Sequence, residues 1–224
     1  MILPFDELDI LETKYNMPFL EGIDEDVLIN DIYDLLIAAY LYGVNDVNEM
    51  LGTELKADPM KGEKIIFKKV DGKTWFDRIG KYFDDAFANE YGEYYVMISG
   101  QQTSLSDAAM RIAETETTRV FNETMLDLAI EVEIVFEDGK DPTEPAPVTP
   151  PEETDGKRPR VLKKWNTMED EKVRLSHAVL QNAEVGVRDF FYTIDGDRAK
   201  APGQFGTAQN NVNCRCWLTY RTVR

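Results

Sequence analysis

The chain holds one histidine, His177, and two cysteines, Cys214 and Cys216, in 224 residues. Cysteines one residue apart cannot close an unstrained disulfide, so the pair does not read as a secretory staple. No uninterrupted apolar run approaches the roughly 20 residues of a bilayer span; the longest, around Leu35 to Leu41, is too short. The N-terminus has no basic region ahead of an apolar one, as a signal peptide would. These absences predict synthesis in a reducing cytoplasm and no membrane partner. A glycine is also missing. Gly72, Lys73 and Thr74 imitate the end of a phosphate-binding loop, but Phe67 stands where the motif needs its first glycine. Without it the backbone cannot wrap phosphates, which excludes that mode of nucleotide binding.

Positive charge is scarce in the first two-thirds of the chain. Residues 1–156 carry 12 Lys and Arg against 35 Asp and Glu, whereas residues 157–224 carry 13 against 7. An acidic body with a basic C-terminal part implies two surfaces and two kinds of partner. The sign changes at residues 137–156, which contain five prolines and seven acids and almost no large apolar residue. That composition is typical of an extended linker.

Periodicity supplies the rest of the organisation. Residues 1–22 read as an arm. Leu28, Ile32, Leu35, Leu36 and Ala39 share one helical face, with acids at the start and Gly43 as the expected stop, and a second helix follows from Val44 to Leu51. Residues 56–72 read as a loop or short hairpin. A helix is expected from Thr74 to about Tyr91, and another from a cap at Ser104 or Ser106 to about Val132. Beyond the linker, Val161 to Thr167 reads as a strand, and Thr167 with Asp170 as a capping box opening a helix. A final strand from Val212 to Tyr220 would put Val212, Cys214, Cys216, Leu218 and Tyr220 on one face. The predicted class is α+β. Residues 1–136 form a helical part, 137–156 a linker and 157–224 a small basic α+β domain.

Three segments resemble the phage Mu F-like head morphogenesis, or minor capsid, family. They are DGKTWFDRI from Asp71 to Ile79, with Arg78; RIAETETTR from Arg111 to Arg119, followed by Asn122; and an ordered series through the C-terminal part. That series runs Trp165, Thr167, Asp170, Arg174, His177, Phe190, Pro202, Gly203, Asn213, Cys214, Arg215 and Cys216. The resemblance spans roughly residues 71–220. It implies a virion structural protein made in the host bacterial cytoplasm, present in several copies and located at the portal vertex or capsid interior. Portal protein or major capsid protein would be its partner, with the helical part attaching to them. It further implies a role in head assembly and in DNA packaging or ejection, and no enzyme. Toxin-like domains occur fused to members of this family.

Each candidate site has a plainer reading beside it. His177, Cys214 and Cys216 could ligate one structural zinc, with Asp170 as the nearest fourth donor. Buried free cysteines packing as small hydrophobes rank ahead of that. Thr115, Glu116, Thr117 and Arg119 look catalytic, but no nucleophile–base pair accompanies them, and a polar helix face that docks the C-terminal part or caps a neighbour ranks first. Arg158, Arg160, Lys163, Lys164, Arg188, Arg215, Arg221 and Arg224 could touch packaged DNA, an acidic capsid or portal surface, or the chain's own acidic half. The rival functions are a metal-assisted nuclease or transferase using His177 with Glu116 or Asp170, and a DNA-binding accessory protein.

Overall fold

Asp24 opens the first helix. Its side chain accepts a hydrogen bond from the Val27 N–H at 3.1 Å, and Glu25 and Asp26 complement the helix dipole. A computed structural model describes Ile10, Lys14 and residues 24–88, 90, 94–137 and 160–223. The expected arm over 1–22, apart from Ile10 and Lys14, and nearly all of the Pro-rich stretch lie outside the described residues.

The first helix, α1, runs Glu25–Leu51 without interruption. Gly43 does not stop it. A Cβ there would lie 3.0 Å from the Phe121 carbonyl oxygen and from Thr124 Cβ, so this glycine lets two helices touch. The stop is Gly52, in the left-handed conformation that glycine adopts cheaply (φ 66°). By length and composition α1 could cross a membrane, yet its apolar face is buried against the rest of the chain.

Residues 56–72 also differ from expectation. Helix α2, Pro59–Ile66, starts on an Asp58 cap with proline in its first turn. Helix α3, Trp75–Asp85, has a full capping box between Thr74 and Asp77. It ends before the expected Tyr91, because the chain turns into a small antiparallel sheet. That sheet comprises β1 (Phe87–Ala88), β2 (Tyr94–Ile98) and β3 (Gln101–Ser104), in that order. The Ser104 hydroxyl accepts from the Asp107 N–H at 3.0 Å and caps α4, Leu105–Glu137, a 33-residue helix.

The C-terminal part is built from short pieces. These are β4 (Arg160–Asn166), α5 (Leu175–Ala178), β5 (Glu184–Gly186), β6 (Phe191–Tyr192), β7 (Arg198–Ala199), α6 (Ala208–Asn211) and β8 (Trp217–Val223). The main sheet is antiparallel, in the order β5-β4-β8, with Trp165 opposite Leu218. The architecture is therefore α+β. The capping box at Thr167 and Asp170 does not form. Thr167 N–H donates to Gln181 instead, Asp170 accepts from Lys172 N–H, and the helix waits until Leu175. The last strand begins at Trp217 rather than Val212, so both cysteines precede it, and Val212 is exposed.

Helix α4 lies at the centre. Val120, Phe121, Met125 and Ala129 are fully buried and join α1 residues such as Leu28, Ile32 and Leu36. The same apolar cluster continues through Val161, Trp165, Leu218 and Tyr220, so one core spans helices and main sheet. Burying each large side chain contributes about 1.5–3 kcal/mol.

Candidate functional site

The polar face of α4 is buried almost completely, and its side chains do two jobs. Toward the helices, Arg119 donates to Glu116 at 2.7 Å, to Glu123 at 3.0 Å and to the Ile66 carbonyl at 3.2 Å. Arg78 closes on Glu116, and Lys68 on Glu123. Charges this deep are tolerable only when paired and hydrogen-bonded, as these are. Gly203 packs against the Arg119 backbone, where a Cβ would come within 3.0 Å of Arg119 Cα.

Toward the C-terminal part, α4 takes the place of a missing neighbouring strand. Thr115 Oγ1 accepts from the Asn213 N–H at 3.1 Å. The Thr118 hydroxyl donates to the Cys214 carbonyl. Asn122 donates to the Cys216 carbonyl at 3.0 Å and accepts from the Leu218 N–H at 3.1 Å. Residues at i, i+3 and i+7 of one helix face thus satisfy backbone groups along 213–218, which buried polar groups require. Of the four polar residues singled out on this helix, Thr115 bonds to the C-terminal part, whereas Glu116 and Arg119 bond within the helical part. Thr117 Oγ1 is buried without a hydrogen-bond partner among the described residues.

This ladder fixes the two sulfurs. Cys214 Sγ and Cys216 Sγ each lie 3.6 Å from His177 Nδ1, and all three ligand atoms fall within 4.8 Å of one another. The three residues are buried, at 1%, 2% and 1% exposure for Cys214, Cys216 and His177. The imidazole stacks on Phe205, with ring centroids 5.1 Å apart, and meets the edge of Trp165 at 5.8 Å. His177 Nε2 has no hydrogen-bond partner among the described residues. The Cys214 thiol is pulled well below its ordinary pKa by its bond with Cys216 and then by His177, while Cys216 is pushed up by the same bond. A buried pair of thiols facing one imidazole nitrogen can hold a thiophilic metal ion or pack as it stands.

Asp170 is not the fourth donor. Its carboxylate is bonded to Arg215, which also lies 3.7 Å from Glu114. Glu116 is held by Arg78 and Arg119. Both acids are thus paired with arginines rather than placed in the His177 trio. Arg174 is spent on the Val212 carbonyl.

Several basic residues are likewise used inside the chain. Arg188 meets Glu133 of α4 at 3.1 Å, and Arg221 pairs with Glu184. Lys163 is corrected outright. It is not a surface contact but fully buried, donating to the Lys200 carbonyl at 2.7 Å beside the Phe191 ring. Burial, then the neighbouring Lys200 charge, lowers its pKa to about 7. Alternation along β4 with its buried neighbours Val161 and Trp165 was the signal that could have found it. Arg160 is exposed and Lys164 half-buried, while Arg158 and Arg224 lie outside the described residues.

No protein-family model and no solved structure matches this chain. Over 165 residues it is 29% identical to the NAD(+)–arginine ADP-ribosyltransferase EFV of Enterococcus faecalis, covering 68% of this chain and 29% of that protein. Over 64 residues it is 33% identical to the minor head protein GP7 of Bacillus phage SPP1, covering 29% of this chain and 21% of that protein. The chain spans less than a third of the length of either relative.

The second match agrees with the expectation of a phage head structural protein and a virion setting. The narrower Mu F-like assignment is carried by no family model. The first match corrects the expectation that the chain is no enzyme, because most of it aligns within an ADP-ribosyltransferase. That expectation followed from resemblance to head proteins, and likeness to a head protein and to an enzyme can reside in one chain.

Proposed function

We propose that this chain is a minor structural component of a phage head, acting at the portal or the capsid interior during assembly. The observation that carries this reading is the 33% identity to a minor head protein. The chain's construction is consistent with it. The basic C-terminal part is bonded through Arg188 and Arg215 to acids of α4, so it is oriented on the helical body rather than tethered loosely. Packaging or ejection of DNA would be served by what basic surface remains, including Arg160 and Lys164. Sedimentation of particles from infected or induced cells tests the reading. The chain should travel with heads in a few copies per particle and stay with them in high salt. Recovery only in the soluble fraction would overturn it.

One observation favours a second reading, that the segment serves an ADP-ribosyltransferase. Incubation of the purified chain with labelled NAD+ and an arginine-containing acceptor separates the two. Label transferred to arginine supports the second reading, and no transfer alongside particle association supports the first.

A further inference from the structure

We propose that His177 Nδ1, Cys214 Sγ and Cys216 Sγ bind one zinc ion, and that this ion latches the start of β8 onto helix α4. The proposal rests on these three residues and their supports, not on the virion role, so either can fail without the other.

The donor set comes first. The only histidine and the only two cysteines of the chain converge from separate elements, His177 on α5 and the cysteines on the segment before β8. Zinc–sulfur bonds of about 2.3 Å and zinc–nitrogen bonds of about 2.0–2.1 Å at a tetrahedral angle place N and S roughly 3.6 Å apart. Both nitrogen–sulfur separations here are 3.6 Å. All three donor atoms lie within 4.8 Å of one another, close enough to share one ion.

Charge comes next. Two thiolates and one Zn2+ make a neutral unit, which a buried site tolerates far better than a bare ion or a bare thiolate. No fourth side-chain donor joins the trio among the described residues. The fourth position is left to a small ligand such as water.

The second part follows from the supports. The carbonyls of both cysteines are already bonded to Thr118 and Asn122 of α4. An ion that fixes the two sulfurs therefore also fixes those carbonyls. Ligand residues are commonly held by such outer hydrogen bonds. Losing the ion should loosen 213–223 first and leave α1 ordered.

The test uses the whole chain as purified. Elemental analysis should find about one zinc per chain. Replacement with Co2+ should give thiolate-to-metal absorption in the near ultraviolet and the visible bands of a tetrahedral site. Cys214→Ser and His177→Gln should each reduce metal content at least tenfold. A chelator should speed backbone hydrogen exchange in peptides covering 213–223 and leave α1 unchanged. Should the variants not fold, the wild-type metal content and cobalt spectrum decide alone. Less than a tenth of an equivalent of zinc, with no cobalt bands in folded and reduced protein, would overturn the site. Exchange that is unchanged, or faster throughout, would overturn the latch.

Discussion

The two halves of this molecule solve burial differently. Residues 24–137 rely on long helices whose apolar faces meet along their length, with Gly43 letting α1 and α4 touch. Residues 160–223 have elements of two to seven residues, too short to hold themselves by periodic packing. They lean on β4–β8 pairing, an aromatic cluster of Trp165, His177, Phe191 and Phe205, and α4 side chains that bond to their backbone. Each half also buries an ionisable group whose pKa burial shifts, Asp46 in α1 and Lys163 in β4. The lesson is that α4 belongs energetically to both halves. Its apolar face completes the helical core, and its polar face completes the sheet.

The largest effect should come from breaking the charge network at the shared helix. Arg119→Met leaves Glu116 and Glu123 with one cation each and should destabilise the chain by about 3–5 kcal/mol, read from urea unfolding. If the loss is under about 1 kcal/mol, the network is not what ties α2 and α3 to α4. Asn122→Ala should come next. It strands the Cys216 carbonyl and the Leu218 N–H, a loss of about 2–3 kcal/mol. Exchange should rise in β8 before α1, and a uniform rise would erase the contrast between the halves. Gly43→Ala should cost roughly 1–3 kcal/mol, because its Cβ meets the α4 backbone at 3.0 Å.

Two smaller predictions use pH and carry opposite signs. Lys163 keeps its proton to about pH 7 when folded but to about 10.5 when unfolded. Between those values the unfolded chain binds more protons, so stability should rise with pH from about 7 to 10.5. Lys163→Met should flatten that rise. Burial raises the Asp46 pKa to about 6 from its ordinary 3.8, so there the folded chain binds more protons. Stability should fall as pH climbs from about 4 to 6, and Asp46→Asn should remove the fall. Thermal melts across the pH range check both. A wild-type curve flat in either window, or one unchanged by its variant, contradicts the corresponding assignment.

The helical half was largely legible in the sequence. Leu28, Ile32, Leu35, Leu36 and Ala39 fall on the face their spacing requires, and Ala109, Ile112, Val120, Met125, Leu128 and Ala129 are all buried. The errors there were local. Gly43 carries the mark of a stop because a glycine's conformational freedom and its lack of a side chain look the same in a sequence. Residues 56–72 read as a loop or short hairpin, and α2 is hidden there, because proline and glycine mark both turns and helix starts. In the C-terminal half β4 and the end of β8 were approximately placed, but the capping box and the start of the last strand were not. Short elements carry too few residues for a period to declare itself.

The sequence by itself determined the α+β class, the buried face of α1, the long helix α4 and the rarity that singled out His177, Cys214 and Cys216. Local spacing and composition decide these, and both are written along the chain. Only the tertiary structure decided that α4 stands in for a strand beside 213–218, and that Asp170 and Glu116 are taken by arginines. It alone buried Lys163 and brought both sulfurs to one imidazole nitrogen. Those outcomes depend on which groups distant in sequence meet when one core closes over both halves, and residue spacing carries no record of that.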